Sequence, residues 1–173
     1  MIKAQKQGGK DDYQTPPIAL QPLLTHLDPK WKLWECAEGK GNLTQALKKE
    51  KFKVVGTDIL QGKDFLKYEP KEYDCIITNP PFSKKQEFIE RAYSLGKPFA
   101  FLLPITALES EKRQRFFKCC GIELILFKKR INFETPDGEG EGSWFATAWF
   151  THQFNLGQSL LFSDMECPIC QKQ

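Results

Sequence analysis

The fold is decided by residues 31–60, which run WKLWECAEGKGNLTQALKKEKFKVVGTDIL. The stretches WKLWECA (31–37) and FKVVGTDI (52–59) are apolar runs of strand length that contain aromatic or β-branched residues. Between them, residues 42–50 are helix-forming and open at Asn42, a residue type that favours helix starts. A strand, a glycine-containing turn, a helix and a second strand in this order predict a βαβ unit with two parallel strands.

The alternation of strands and helices continues along the chain. Further strands are predicted at 73–78, 98–103, 122–127 and 143–150. Capping boxes predict a helix start at Ser83, with Gln86 as its partner, and another at Thr106, with Glu109 as its partner. The last two strands are separated only by a loop containing DGEGEG (137–142), so we expect them to pair as an antiparallel hairpin at one edge. Phe133 and Trp144 bracket this loop. The pattern predicts an α/β fold with a doubly wound, mostly parallel sheet.

Both ends of the chain are more polar than its middle. Residues 1–12 are expected to form a disordered basic tail, and residues 153–173 a polar C-terminal tail. A helix is predicted with Thr15 as its N-cap and Pro16 in its first position, and Pro22 must kink or split this helix. The stretch 13–152 is long enough for one domain with its own core.

The composition is that of an ordinary globular protein, with 40% hydrophobic residues, 27% charged residues and a net charge of +3. No apolar run approaches the roughly 20 residues of a membrane helix. The first residues, MIKAQKQGGK, lack the apolar core of a secretory signal. We therefore expect a cytoplasmic protein (in the host cytoplasm if it is viral) with no membrane partner.

Basic residues fall into three clusters. They are Lys84–Lys85, the group Lys112, Arg113, Arg115 and Lys118, and Lys128–Arg130. Such clusters suit contacts with phosphates, and they suit solvated helix faces and strand ends equally well. The sequence leaves both interpretations open.

The six cysteines are expected to be free thiols, because the chain has no secretory signal. Cys36 and Cys75 lie in apolar strands and are predicted core residues, and the adjacent Cys119–Cys120 are predicted to be the buried end of a helix. Cys167-x-x-Cys170 has the spacing of half a zinc site, but no second pair lies nearby. We therefore predict no bound metal.

Ligands of doubly wound sheets bind where the parallel strands end, so the residues after each strand are the candidates for a site. Gly39 and Gly41 follow the first strand and let the backbone approach a ligand, although the third glycine of the dinucleotide fingerprint is missing. Asp58 follows the second strand and can accept hydrogen bonds from both hydroxyls of a ribose. Asp64 can accept from an adenine amino group while Phe65 packs its ring. Taken singly, each piece also suits an ordinary turn.

The strand at 73–78 runs directly into Asn79-Pro80-Pro81-Phe82. Two prolines fix the backbone and remove two N–H donors, which leaves carbonyl oxygens and the Asn79 amide as acceptors. Phe82 adds a flat apolar face beside them. This combination predicts a cup for a planar amine.

Asn79-Pro80-Pro81-Phe82 resembles the catalytic motif of amino-group methyltransferases that use S-adenosylmethionine. Around it, Glu35–Gly41 resembles their methionine-side loop, Asp58 their ribose-binding acid and Asp64-Phe65 their adenine-contacting pair. Tyr13-x-Thr15-Pro16 and the last hairpin are similar to those of phage-type adenine-N6 methyltransferases, and the resemblance spans roughly residues 13–151. It implies a Rossmann-like class I methyltransferase fold with a seven-stranded sheet.

The resemblance also implies which residues do the work. Catalysis is assigned to Asn79, Pro80, Pro81 and Phe82, and S-adenosylmethionine binding to Tyr13, Thr15, Pro16, Glu35, Cys36, Ala37, Gly39, Asp58, Ile59, Asp64, Phe65 and Asn79. The implied reaction is transfer of a methyl group to N6 of adenine in a nucleic acid, with DNA favoured over RNA.

Several alternatives stay open at this point. Similar motifs occur in enzymes that methylate guanine N2 in ribosomal RNA or the side-chain amide of glutamine in proteins. The chain has no room for a separate recognition domain, so RNA, single strands or a partner subunit for target recognition are also compatible with it. A different class is a methyltransferase-like binding subunit without activity, against which the intact motifs argue. A nicotinamide-dependent dehydrogenase is disfavoured by the missing third glycine.

Overall fold

Five parallel strands form most of the central sheet in the computed structural model, which describes residues 14–135, 138–139 and 145–163. They are β1 (Lys32–Glu35), β2 (Lys53–Gly56), β3 (Cys75–Thr78), β4 (Phe99–Pro104) and β5 (Glu123–Leu126). Each lies within a stretch predicted as a strand, apart from the last residue of β4. The fully buried β3 and β4 carry only apolar residues and Thr78, which is typical of strands covered on both faces.

Within the described residues, seven strands form one sheet in the order β2-β1-β3-β4-β8-β5-β9. β8 (Thr147–His152) runs antiparallel to both β4 and β5 and lies between them. The predicted mostly parallel, seven-stranded sheet is confirmed, and β5 and β8 form its predicted antiparallel pair. The edge beyond this pair is β9 (Leu160–Phe162), which is parallel to β5 and lies within the segment predicted as a C-terminal tail. A two-stranded ribbon, β6 (Glu134–Thr135) and β7 (Gly138–Glu139), lies outside the sheet.

Helices cover both faces of the sheet because alternate strand residues point to opposite sides. The helices are α1 (Gln21–Leu24), α2 (Asn42–Lys49), α3 (Lys85–Leu95) and α4 (Glu111–Cys120). On one face, Leu23 and Leu47 pack against a core that includes Trp149. On the other face, Phe88 of α3 packs against a core that includes Phe101. Trp149 also donates its indole N–H to the carbonyl of Ala19 (2.7 Å), which fixes the N-terminal segment to the sheet.

The helix starts differ from the sequence predictions because 3-10 turns precede three helices. Pro17–Leu20 is a 3-10 turn capped by Pro16 and not by Thr15. The predicted helix is split between Leu20 and Gln21, and Pro22 is the second residue of α1. α3 and α4 likewise follow the turns Phe82–Lys84 and Ile105–Glu109. Their caps are Lys84 and Ser110, without side-chain bonds. The capping boxes predicted at Ser83 and Thr106 were therefore wrong, because both residues lie inside a 3-10 turn.

The described cysteines are free, and two of them differ from prediction. Cys36 and Cys75 are buried as predicted, and burial raises the pKa of both thiols well above the ordinary range. Cys119 and Cys120 are exposed, so the prediction of a buried helix end was wrong. The reason is that α4 has no buried residue along its whole length.

Some predicted features lie outside the described residues. These are the 1–12 tail, Tyr13, Trp144, Cys167 and Cys170, and all of the DGEGEG loop except Gly138 and Glu139. In the described part of the chain, no helix has the length and apolar character needed to cross a membrane. The same residues contain no group of three or more potential metal ligands.

Candidate active site

The carboxyl ends of β1, β2 and β3 lie side by side at one edge of the sheet. Glu35 at the end of β1 is in register with Gly56 of β2, and Trp34 is in register with Ile76 of β3. Neighbouring strands are about 4.8 Å apart. The three candidate segments that follow these strands therefore begin as neighbours in space.

The loop after β1 is held to the loop after β2 by hydrogen bonds from its backbone N–H groups. Gly39 has a φ of +53°, and its N–H donates to Asp58 Oδ2 (2.9 Å). Glu38 N–H donates to the carbonyl of Thr57 (3.0 Å). A Cβ on Gly39 would lie 3.3 Å from Gln14 Nε2, so the left-handed backbone and the close approach of Gln14 both favour glycine here.

The segment 14–16 lies against this same loop. Gln14 and Thr15 are buried, and Gln14 Oε1 accepts a hydrogen bond from Lys40 N–H (3.3 Å). The motif Tyr13-x-Thr15-Pro16 leaves its second position unspecified, so the sequence analysis missed Gln14. Gln14 thus joins the segment that contains Thr15 and Pro16 to the glycine loop.

Asp58 organises the site through both carboxylate oxygens. Oδ2 accepts from Gly39, and Oδ1 accepts from Leu60 N–H (2.8 Å), which caps the 3-10 turn Ile59–Gln61. An ionised carboxylate offers about four acceptor positions, so these two bonds leave capacity for a ligand hydroxyl. The side chains of Ile59 and Leu60 are 65% and 79% exposed, which makes an unusual apolar surface directly beside the carboxylate.

Glu35 is a buried carboxyl at the end of β1. Its Oε1 accepts from Ala37 N–H (3.0 Å) and from the hydroxyl of Thr78 at the end of β3. The pKa of Glu35 is raised to about 8, mainly by burial and to a smaller extent by the nearby carboxylates of Glu38 and Asp58, while the two hydrogen bonds oppose the shift. At neutral pH the carboxyl is therefore mostly protonated, and a cation placed beside it would favour its ionised form.

Asp64 stabilises a turn, whereas Phe65 is a core residue. Asp64 Oδ1 accepts from Leu66 N–H (3.0 Å) and so holds the turn that follows it. Phe65 is 2% exposed, and its ring stacks on Phe88 with centroids 4.7 Å apart. The ring of Phe65 is therefore a core group. This restricts the predicted contact of Phe65 with an adenine to its main-chain atoms.

Asn79-Pro80-Pro81-Phe82 connects β3 to α3. Asn79 is half-buried with its side-chain oxygen in the interior, and Pro80 is buried. Phe82 opens the 3-10 turn, and its carbonyl accepts from Lys85 Nζ (3.0 Å). Asn79 follows Thr78 directly, and the Thr78 hydroxyl bonds to Glu35, so the proline motif and the β1 loop share one wall.

The ring of Phe82 is packed by two aromatic residues from the connection between β5 and β8. Phe145 lies edge-to-face with it at 5.6 Å between centroids, and Phe133 does so at 6.4 Å. Phe133 and Phe145 stack on each other at 6.1 Å. The sequence analysis had Phe133 and Trp144 bracket the DGEGEG loop in this connection, and it gave Phe145 no role at this site. Its position at the start of the last predicted strand was the available signal.

Comparison with known proteins shows a methyltransferase fold. No protein-family model matches the chain, and no curated protein matches it. Among solved structures, it resembles a type I restriction-modification methyltransferase subunit from Streptococcus thermophilus (TM-score 0.58, 18% identity, 87% of this chain and 47% of that one). It also resembles a dimethyladenosine transferase from Plasmodium falciparum (0.53, 12%, 81% and 62%). A third is a putative RNA methyltransferase from Pyrococcus horikoshii (0.51, 14%, 86% and 88%).

These likenesses establish the predicted Rossmann-like methyltransferase architecture. The chain spans about half the length of the Streptococcus subunit and less than two thirds of the Plasmodium protein.

Proposed function

We propose that the chain is an S-adenosylmethionine-dependent methyltransferase that modifies an exocyclic amino group, namely N6 of adenine in a nucleic acid, with DNA favoured over RNA. The observation that carries this proposal is the junction of the proline motif with the loops after β1 and β2. Thr78 bonds to Glu35, and Gly39 bonds to Asp58, so Asn79 directly follows a residue that is tied to the loops after β1 and β2. Similarity in fold to several methyltransferases supports the reaction class.

The residues at the three strand ends fit this cofactor. Asp58 retains acceptor capacity for ribose hydroxyls, and the exposed Ile59 offers an apolar surface for an adenine ring. Glu35 is a buried carboxyl with a raised pKa, and a cation bound beside it would lower that pKa and pair with the ionised form. When bound, S-adenosylmethionine supplies an electrophilic methyl group on a positively charged sulfur. Glu35, Gly39, Asp58, Ile59 and the backbone of Asp64–Phe65 would hold it.

The proline motif would act on the substrate. The amino nitrogen of adenine is a weak nucleophile because its lone pair is delocalised into the ring. The Pro80 carbonyl and, once its buried amide turns toward the substrate, the Asn79 side-chain oxygen would accept its two hydrogens. This favours a pyramidal nitrogen with its lone pair directed at the methyl group. The methylated nitrogen is cationic and loses a proton to water, so no strong base is needed. Catalysis then rests on positioning and on stabilisation of the developing positive charge.

Phe82 would stack on the base that carries the amino group. Its ring is fixed by Phe133 and Phe145 and is half-buried, so part of it remains accessible. In a duplex, the base must first leave the stack, at a cost of a few kcal/mol. A target in a single strand avoids this cost.

The choice of adenine and of nucleic acid draws on the named neighbours. One is a dimethyladenosine transferase, and one is a methyltransferase subunit of a type I restriction-modification system. The second also supports a partner subunit for target recognition. Guanine N2 in RNA and glutamine in a protein are the competing substrates, because the same cup accepts any planar amine.

The test is a transfer assay with radiolabelled S-adenosylmethionine and separate pools of DNA, RNA and protein, followed by nucleoside analysis. We expect label in N6-methyladenine. Asn79→Ala should abolish transfer and leave cofactor affinity, measured by calorimetry, within a few-fold of the wild type. Label in guanine or protein, or near-normal turnover of the Asn79 variant, would contradict the proposal. Cofactor binding without transfer to any pool would favour an inactive binding subunit.

A further inference from the structure

Three consecutive cations follow β5 at the same edge of the sheet as the candidate active site. Lys128, Lys129 and Arg130, which we call the basic turn, are all exposed. β4 and β5 are both antiparallel to β8, so β5 is parallel to the strands that precede it. Its carboxyl end, at Leu126, therefore lies at the edge where Asn79 follows β3. The basic turn begins two residues beyond that end.

The basic turn is fixed to the wall of the site by the residues that follow it. Ile131 and Phe133 are buried, while Asn132 between them is exposed. The Phe133 ring contacts Phe82 at 6.4 Å between centroids. Three residues span at most about 11 Å of extended chain, so the Cα of Arg130 lies within that distance of the Cα of Phe133. This separation corresponds to about three nucleotides along one strand of a nucleic acid.

The other two basic clusters are partly neutralised, in contrast to the basic turn. Lys84 pairs with Glu87, Lys112 pairs with Glu90 and Arg115 pairs with Glu111. Among the ion pairs of the part of the chain that is described, none includes residues 128–130. The three clusters, which the sequence could not distinguish, therefore differ in their ion pairing.

The sequence turns acidic directly after this segment, at Glu134, Asp137, Glu139 and Glu141. The positive charge is thus confined to three residues. A short cationic turn with an aromatic wall beyond it suits a phosphodiester backbone with one exposed base. A protein substrate would have no regular series of phosphates to match it.

We propose that the basic turn binds the phosphates next to the target nucleotide, so that the substrate is a polynucleotide whose target base lies against Phe82. This inference rests on the proposed function for the identity of the reaction at Phe82. The binding step it describes involves no bond making or breaking. It can therefore be measured without methyl transfer.

The experiment compares wild-type protein with the triple variant K128Q/K129Q/R130Q. The probe is a fluorescently labelled, adenine-containing oligonucleotide, both single-stranded and as a duplex, and binding is followed by anisotropy over a series of salt concentrations. Each lost phosphate contact reduces the slope of log affinity against log salt by about 0.7 to 0.9. We expect a slope reduced by about 2 and an affinity that is at least about tenfold lower near 0.1 M salt.

A matched control removes three exposed cations at the opposite edge of the sheet. Lys48 and Lys49 end α2, and Lys53 begins β2, so K48Q/K49Q/K53Q changes the net charge equally but far from the carboxyl ends of the strands. The control should keep the wild-type slope and affinity to within about twofold. The double variant K128Q/K129Q should fall between the wild type and the triple variant.

The outcomes separate the two proposals. Equal losses in both triple variants, or an unchanged slope in K128Q/K129Q/R130Q, would overturn the phosphate site, as would a wild type that binds no oligonucleotide. Cofactor affinity measured on the same samples should be equal in all variants, which shows that the fold is intact. If the wild type binds through the basic turn but transfers no methyl group, the proposed function fails and the phosphate site stands.

Discussion

At the scale of single residues, the site depends on a carboxyl group that the fold keeps neutral. Glu35 accepts hydrogen bonds from Ala37 and Thr78, yet burial dominates and raises its pKa to about 8. A buried group of this kind costs stability once it ionises. Natural proteins tolerate such costs mainly at functional sites. The position of Glu35 beside Asn79 is consistent with that rule.

The Glu35→Gln variant tests this interpretation through stability. In the wild type, the folded-state pKa lies above the unfolded value, so the stability present below about pH 4.5 is lost as the pH rises towards 8. Glutamine has no such dependence. We expect the free energy of unfolding of the variant, relative to that of the wild type, to rise by a few kcal/mol between about pH 5 and pH 8.5. Urea unfolding at both pH values measures this difference. Parallel pH profiles of the two proteins would contradict the buried, neutral Glu35.

At the scale of elements, the connection between β5 and β8 contributes residues that pack against the proline motif. It supplies Phe133 and Phe145, which stack on each other and both lie edge-to-face with Phe82. Edge-to-face pairs of this kind contribute about 0.5–1.5 kcal/mol beyond their buried area. We infer that Phe145 is a positioning residue, which acts on the substrate through the orientation of Phe82.

A double-mutant cycle tests this coupling. Phe82→Ala should reduce kcat more than cofactor affinity, because its ring faces the substrate. Phe145→Ala should reduce kcat by a smaller factor, about tenfold, through the loss of a fixed ring plane. In the double variant the effect of the second substitution should largely vanish. Additive losses would show that Phe145 acts independently of Phe82.

The sequence predicted the strands better than the helix starts, and the reason is physical. A buried strand such as Phe99–Pro104 is specified by its own apolar residues. The start of α3 depends instead on the proline motif, which leads into a 3-10 turn and moves the cap from Ser83 to Lys84. The exposed Cys119 and Cys120 were missed because α4 packs through half-buried residues alone. Local pattern does not report how deeply a helix lies against a sheet.

At the scale of the whole molecule, the order of strands could be only partly predicted. The pairing of β5 with β8 followed from the absence of a helix between them, but the insertion of β8 between β4 and β5 is set by long-range contacts. β9 is three residues long and largely exposed, so its sequence carries little strand signal. The candidate site was predictable in outline because it lies at strand ends. The role of Gln14 could be found only from tertiary packing, whereas Phe145 had a signal in its position at the start of a predicted strand.

The N-terminal segment joins the core to the site, and Trp149→Phe tests this link. Its indole N–H donates to Ala19 across the buried face of the sheet. The variant leaves a buried carbonyl without its donor and should lower the free energy of unfolding by about 1–3 kcal/mol. Because residues 14–20 also carry Gln14, we expect cofactor affinity to fall several-fold. The control is Trp31→Phe at a half-buried ring, which should leave that affinity unchanged; equal effects of both variants would refute the link.

The most direct test of the account is a crystal structure of the protein with an unreactive analogue of S-adenosylmethionine. We predict that the ribose lies on Asp58 and that the atom in place of the transferable methyl group lies within about 4 Å of the Asn79 side chain. Phe82 should border the same cavity. An analogue bound elsewhere, or bound with its reactive end directed away from Asn79, would contradict the central claim.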